Sequence, residues 1–328
     1  MKIKATFITC ILALCTAVTT TAQQSQQDEP KGKAIIQVFS NFHSGFGSQR
    51  YDRGFELDRS YLGYQYDLGK GLQVKAVMDV GQSDDVNDYH RIAYIKNAQI
   101  TWETGNWTLN GGLISTTQFN MQEKFWGYRY IMKSFQDLYK FGSSADLGIS
   151  AAYKFNDWLS ADAIVVNGEG YKKIQKNDGL MYGLGATLTP VKGLSMRVYY
   201  GLNEGADDNK ENKQNLATFI GYKGGNFSIG AEYNLYKNDG NVKGNDMSGF
   251  SIYGTTNLSK NTSIYARYDN LSSKDNWNEA KEESAWMAGV QFKIGKYVKL
   301  APNFRMNMPK IDGAENQYMA YISCYFGL

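Results

Sequence analysis

Hydrophobic and polar residues alternate along most of the chain after about residue 33. Leu194, Met196 and Val198 fall on one face of an extended segment, and Ser195 and Arg197 fall on the other. The same pattern recurs in other segments, for example 227–235 and 286–294. A period of two is typical of β-strands that have one apolar and one polar environment. The chain is therefore predicted to be all-β.

The alternating segments are about 9–11 residues long. Strands of a soluble β-sandwich also alternate, but they commonly have about 5–6 residues and turn their apolar faces inward. The longer segments have the length that a tilted strand needs to cross a bilayer. We predict sixteen strands, at 34–43, 56–67, 71–80, 93–103, 107–114, 145–155, 158–167, 180–189, 194–203, 215–223, 226–235, 248–258, 262–270, 284–294, 297–306 and 316–326.

Short and long connections alternate between these strands. Outer-membrane barrels have short periplasmic turns and longer external loops, whereas a sandwich has no such rule. Sixteen strands with both ends in the periplasm would give seven short turns and eight long loops, as the sequence has them. The predicted short turns are Gly69-Lys70, Gly105-Asn106, Asn156-Asp157, Lys192-Gly193, Gly224-Gly225, Lys260-Asn261 and Gly295-Lys296.

Aromatic residues stand beside the short turns, at Tyr66, Trp102, Trp107, Phe155, Tyr222 and Phe227. This position predicts the interfacial girdle of a membrane barrel, although the β-propensity of aromatic residues is an alternative explanation. The last segment, 316–326, places Phe326 near the end of the chain, as the final strand of a bacterial barrel does.

The N-terminal residues have the features of an export signal. Lys2 and Lys4 precede a short apolar stretch, which ends in small residues up to Ala22. We predict a signal peptide at 1–22, a flexible leader at 23–33 and an outer-membrane barrel at 34–328; a retained anchor is the alternative. After the signal the chain keeps one cysteine, Cys324, so neither an intramolecular disulfide nor a cysteine metal cluster is expected.

The composition agrees with an exported β-protein of a Gram-negative bacterium. The chain has 24 Tyr, 16 Phe and 34 Gly but only 4 Pro, which suits strands joined by many turns. The formal net charge is +3, and two of those charges lie in the predicted signal. Without a strong basic field, nucleic acid is not an expected partner. The expected location is the cell outer membrane, with membrane lipid around the barrel.

A connection of about thirty residues, 115–144, lies between the fifth and sixth predicted strands. Because side chains cannot fill a barrel of sixteen strands, a water-filled interior is expected. This third loop is rich in aromatic and aliphatic residues, which would not lie freely in water. We therefore predict that the long third loop folds into the lumen and narrows it.

Two segments of the chain resemble the phosphate-selective porin O/P family. They are Phe135-Gln136-Asp137-Leu138, leading into Ala145-Asp146-Leu147-Gly148-Ile149, and Phe55-Glu56-Leu57-Asp58-Arg59-Ser60-Tyr61-Leu62-Gly63. The resemblance implies a homotrimer of sixteen-stranded barrels in which arginine and lysine residues favour anions. The chain lacks a run of closely spaced arginines, so phosphate specificity is not expected to carry over.

Strand parity predicts which charges face the lumen. By parity the inward-facing basic residues are Arg59, Lys75, Lys154, Arg197, Arg267, Lys293, Lys299 and Arg305. The third loop adds Lys124, Arg129, Lys133 and Lys140 to the predicted pore lining. The corresponding acids are Asp79, Glu123, Asp137, Asp162, Glu232 and Asp269. Twelve basic groups against six acidic groups predict a mild anion preference. Arg59, Arg129, Lys133 and Arg197 are expected to set it; the alternative is that these charges only solvate the lumen.

An enzymatic site is not expected. His43 is next to Ser44, but neighbouring residues of a strand point to opposite faces, and His90 lies in a predicted loop. Asp207-Asp208-Asn209 and Asp239-Gly240-Asn241 lack the full ligand set of a calcium loop, and no metal or cofactor is expected. The sequence thus predicts a porin for passive diffusion of small hydrophilic solutes. The alternative is a non-conducting barrel that acts as a surface adhesin or anchor.

Overall fold

The protein forms a closed antiparallel β-barrel in the computed structural model, which describes residues 31–82, 90–206 and 210–328. The described residues form sixteen strands, each paired with the next along the chain, and the first pairs with the last. The strands β1 to β16 are, in order, Lys31–Phe46, Arg53–Gly69, Leu72–Gln82, Arg91–Thr104, Trp107–Ser115, Ala145–Lys154, Leu159–Val166, Met181–Leu188, Leu194–Asn203, Lys213–Gly224, Phe227–Lys237, Met247–Asn257, Thr262–Ser273, Glu283–Ile294, Val298–Pro309 and Gln317–Gly327.

This architecture confirms the predicted fold class, and each predicted strand is present with ends shifted by a few residues. Because β1 begins at Lys31, residues 31–33 belong to the first strand instead of the predicted leader. The predicted signal peptide, 1–22, lies outside the described residues, and so does the rest of the leader.

The outer face of the barrel is an exposed apolar band. Val198 on β9 is 44% exposed, and the register pairs it with Thr218 on β10 and Ala186 on β8, which share its orientation. Large apolar side chains of the same parity, such as Ile252 and Trp286, are also exposed. No helix among the described residues is long and apolar enough to span a membrane.

The short turns form one rim of the barrel, called here the short-turn rim. They occur at the predicted positions, and the aromatic side chains of Trp107, Phe155 and Phe227 beside them are exposed. Gly193 in one of these turns has a φ of +89°, and a Cβ there would lie 2.2 Å from the backbone oxygen of Lys223. The turn therefore needs glycine both for its backbone conformation and for its close approach to β10.

Two irregularities in strand pairing change which side chains face the interior. In β2 the pairing with β1 shifts between Arg59 and Leu57, and in β4 the pairing with β3 shifts between Asn97 and Ile95. A β-bulge leaves one residue unpaired and redirects its side chain. Here the unpaired residues are Asp58 and Lys96. Both side chains face the interior of the barrel, although simple parity places them on the outer face.

The third loop, residues 116–144, carries two helices, α1 (Asn120–Trp126) and α2 (Phe135–Leu138). Gly127, with a φ of 74°, ends α1 in the left-handed conformation that commonly closes a helix. The aromatic side chains of the loop are packed against rings that belong to the inner face of the wall. The ring pairs, with centroid separations, are Phe125–Phe219 at 5.1 Å, Trp126–Tyr253 at 5.3 Å and Tyr130–Tyr325 at 5.7 Å. The main hydrophobic core therefore lies between this loop and the wall.

Candidate functional site

The inner wall at β2 and β3 carries a buried charge pair. The Arg59 Nε atom lies 3.1 Å from Asp79 Oδ1, and the guanidinium also donates a hydrogen bond to the Tyr61 hydroxyl at 3.3 Å. Asp79 is only 1% exposed, and it accepts a hydrogen bond from the Tyr171 hydroxyl. Tyr171 belongs to the connection between β7 and β8, so a second long loop also contacts this part of the wall.

Lys96 joins the same group from β4. Its Nζ atom donates to the Tyr61 hydroxyl at 3.2 Å and lies 4.6 Å from the centre of that ring. Strand parity did not predict Lys96 as a lumen residue, because the bulge turns its side chain inward. The sequence does contain a signal, since the apolar positions of β4 change parity between Ile95 and Ala98. Tyr171 had no such signal, because it lies in a loop without periodicity.

The third loop contributes its own charge network. Arg129 pairs with two acids of the loop, Glu123 at 3.3 Å and Asp137 at 2.8 Å. Burial alone would raise the pKa of Asp137, but the positive charges of Arg129 and Lys133 lower it below its ordinary value. Burial lowers the pKa of Lys133, although Asp137 opposes that effect. Arg59 interacts electrostatically with Arg129, so the loop network and the β2–β3 pair are neighbours.

Three inner-wall arginines hold the backbone of the third loop. Arg197 on β9 donates to the carbonyl oxygen of Thr117 at 2.7 Å. Arg267 on β13 donates to the carbonyl oxygen of Lys133 at 2.6 Å, and Arg305 on β15 donates to that of Ile131 at 2.8 Å. Hydrogen bonds from a charged donor are stronger than neutral ones, so these contacts fix the loop to the wall.

Two of these arginines are also neutralised by carboxylates. Arg197 makes a bidentate salt bridge with Asp162, in which its two terminal nitrogens donate to the two carboxylate oxygens at 2.7 and 3.0 Å. Arg267 makes the same kind of contact with Asp269, two residues along its own strand, at 2.8 and 2.6 Å. The paired geometry matches the planar fork of a guanidinium and fixes the side-chain orientation.

A cavity of about 370 Å³ lies between α1 and the wall. Lys124 of α1 and Lys223 of β10 line it together with Arg197. The remaining lining residues are Thr117, Asn120, Met121, Phe125, Ala152, Asp162, Thr187 and Ser195.

The structure brings most of the predicted pore-lining residues together and separates two. Arg59, Arg129 and Lys133 belong to one electrostatic group, and Lys75 interacts with Lys124. Lys154 and Lys293, by contrast, are exposed at the short-turn rim. The Lys154 side chain is 57% exposed and pairs with Asp157 of the adjacent turn at 2.7 Å.

The described residues hold no group of three or more His, Cys, Asp and Glu side chains that could bind a metal ion. His43 contacts Asn41 and Asp52 through its two ring nitrogens, at 2.9 and 3.1 Å. Asp239–Asn241 forms a short 3₁₀ turn, and Asp207-Asp208-Asn209 lies outside the described residues.

A closed barrel with an exposed apolar band and a charged interior defines an outer-membrane β-barrel protein. The family described as "Putative beta-barrel porin-2, OmpL-like" matches residues 141–317, which is more than half of the chain. The chain belongs to this family of barrel porins, and its location is the outer membrane. The porin class predicted from the sequence is thus confirmed. Among curated proteins no match was found.

Several solved structures share the fold at low sequence identity. An anion-selective porin from Comamonas acidovorans has 13% identity and a TM-score of 0.67, with 92% of this chain and 100% of that chain covered. The outer-membrane expressed OmpT of Vibrio cholerae has 15% identity and a TM-score of 0.65, over 93% and 100%. Salmonella typhi OmpF has 10% identity and a TM-score of 0.67, over 91% and 98%.

Proposed function

We propose that the protein is a passive porin, a water-filled channel for small hydrophilic solutes with a mild preference for anions. The observation that carries this proposal is the attachment of the third loop. It leaves the wall at β5, returns at β6 and is hydrogen-bonded to inner side chains of β9, β13 and β15.

The strand order supports an inward position for the third loop. In the closed ring of sixteen strands, β13 lies eight positions from β5 in either direction. A segment that begins at β5 and binds an inner side chain of β13 has to cross the enclosed space. We infer that the third loop narrows the lumen to a constriction, with Arg129 and Lys133 on the loop side and Arg59, Lys75 and Lys96 on the wall side.

The charges around this constriction support an anion preference. Rings of arginine and lysine favour anions in a pore, and positive groups stand on both proposed sides. The preference is mild because carboxylates lie beside several of the arginines. The resemblance to phosphate-selective porins extends the proposal to phosphate-type anions as permeants without a dedicated phosphate site. It also leads us to propose a homotrimer.

A liposome-swelling assay tests the porin function directly. Purified protein is reconstituted into vesicles, which are diluted into isotonic solutions of neutral sugars of increasing size. We expect fast swelling with the smallest sugars and a steady decrease as size increases, because the constriction excludes large solutes. Absence of swelling with every sugar, from protein that shows the heat-modifiable gel migration of a folded barrel, would contradict the proposal.

A further inference from the structure

Four arginines of the inner surface are poor candidates for attracting a passing anion, because a carboxylate lies beside each of them. Arg59 pairs with Asp79, Arg197 with Asp162 and Arg267 with Asp269. Arg129 has two carboxylate partners on the third loop. At a distance such a pair acts as a dipole, and its field falls off faster than that of a single charge.

The lysines of the inner surface are arranged differently, because they lie against aromatic rings. The distances from Nζ to the ring centre are 4.6 Å for Lys96 and Tyr61, 4.5 Å for Lys223 and Phe125, and 4.8 Å for Lys299 and Tyr325. In the part of the chain that the structure describes, none of these lysines has a carboxylate within 4.0 Å. A ring attracts and positions an ammonium group without cancelling its charge.

Two further lysines extend this uncompensated set. Lys124 is exposed on α1 and lines the 370 Å³ cavity together with Lys223. Lys75 on β3 interacts electrostatically with both Lys96 and Lys124. The salt bridges of the described residues include neither lysine. The lysines therefore form a path of net positive charge along the third loop and the facing wall.

We propose that these lysines, and not the four arginines paired with carboxylates, set the anion preference of the channel. The lysines are Lys75, Lys96, Lys124, Lys223 and Lys299, and they are called here the lumen lysines. Arg197, Arg267 and Arg305 act as positioning residues that hold the third loop. This inference rests on the proposed porin function and names the residues that determine its selectivity. It assigns that role to the lumen lysines in place of the four residues that the sequence pattern predicts for it, which are Arg59, Arg129, Lys133 and Arg197.

The test compares variants that remove equal charge at different places. The triple variant K96Q/K124Q/K223Q removes three lumen lysines. The matched control K70Q/K192Q/K260Q removes three exposed lysines of the short turns, none of which takes part in the salt bridges of the described residues. Reversal potentials across a KCl gradient in planar bilayers give the ratio of chloride to potassium permeability. We expect the ratio to fall at least about threefold in the lumen triple, because positive charge in a pore favours anions, and to change much less in the control.

Two further variants separate charge from structure. K96R/K124R/K223R keeps the charges and should retain the wild-type permeability ratio. The paired variant R59Q/D79N removes an arginine together with its carboxylate, since R59Q alone would leave Asp79 as a new negative charge. It should change the ratio less than the lumen triple does.

Each outcome bears on a defined claim. An unchanged ratio in the lumen triple, or a larger fall in R59Q/D79N, would overturn the assignment to lysines. A wild-type channel that conducts but shows no anion preference would overturn it as well, while leaving the porin function intact. Wild-type protein that never conducts would refute the porin function itself. Heat-modifiable gel migration and the β-sheet circular dichroism spectrum of every variant verify that the barrel has folded.

Discussion

A charge placed on the outer face of β9 should destabilise the barrel far more than the same charge on its inner face. Val198 stands midway along this strand, on the exposed apolar band, between Thr218 and Ala186 of the neighbouring strands. Ser195, three residues away, lies on the opposite face and lines the inner cavity. Both positions lie on β9 between the same two strands, β8 and β10. V198R and S195R therefore differ chiefly in the environment that surrounds the new arginine.

The expected magnitude follows from the position in the membrane. An arginine on the lipid face of a barrel near the bilayer midplane costs about 2–4 kcal/mol of unfolding free energy. For S195R the side chain enters a cavity of about 370 Å³ that charged and polar residues help to line, so we expect a cost of less than about 1 kcal/mol from crowding and from the nearby Arg197 and Lys223. Equilibrium unfolding in guanidinium chloride, with the protein folded into lipid vesicles and followed by tryptophan fluorescence, measures both values.

The comparison of V198R with S195R can also refute the assignment of the two faces of β9. If V198R and S195R lost equal stability, or if S195R lost more, the assignment of the two faces of β9 would be refuted. V198L serves as a control, because it keeps an apolar side chain at the lipid-facing position and should leave the unfolding free energy within about 1 kcal/mol.

Three further predictions concern the third loop and one turn. R267K keeps the positive charge but removes a guanidinium that joins β13 to the loop backbone, so single-channel recordings should show more frequent partial closures; recordings as quiet as wild type would contradict the anchoring role. G193V should destabilise the barrel by about 1–3 kcal/mol in chemical unfolding, since the position needs a positive φ and a Cβ would collide with Lys223; unchanged stability would show that the turn can rearrange. The pKa of Asp137 is lowered in the fold, so its pairing with Arg129 stabilises the loop above the ordinary aspartate pKa of about 3.9 and is lost as the pH falls below that value. The difference in conductance and noise between wild type and D137N should therefore stay constant from neutral pH down to about 4 and change only in stronger acid, and a change in that difference near neutral pH would contradict this.

The strand order could be predicted from the sequence because alternation reports the two environments of a barrel wall directly. Each strand of this barrel contacts lipid on one side and the interior on the other, so hydropathy and parity carry the same information. The alternation of short turns and long loops added a second, independent indication that the strands follow one another around the barrel in chain order. The register errors came from β-bulges, which add one residue without a change in composition, as at Asp58 and Lys96.

The roles of the charged residues were harder to predict. Parity states which face a side chain occupies, but it does not give the partner of that side chain. The diagonal contact between Arg59 and Asp79 depends on the register of two strands, and the bond from Arg267 to a loop carbonyl depends on the path of a segment without periodicity. The contact of Arg267 with Asp269 did have a signal, since residues two apart in a strand share one face.

Single-channel recording of the purified protein in a planar bilayer tests the central claim most directly. The account predicts stable ion-conducting steps, a reversal potential across a salt gradient whose sign shows an anion preference, and three equal closures if the protein is a trimer. A correctly folded barrel that inserts into the bilayer but gives no conducting steps would contradict the porin function.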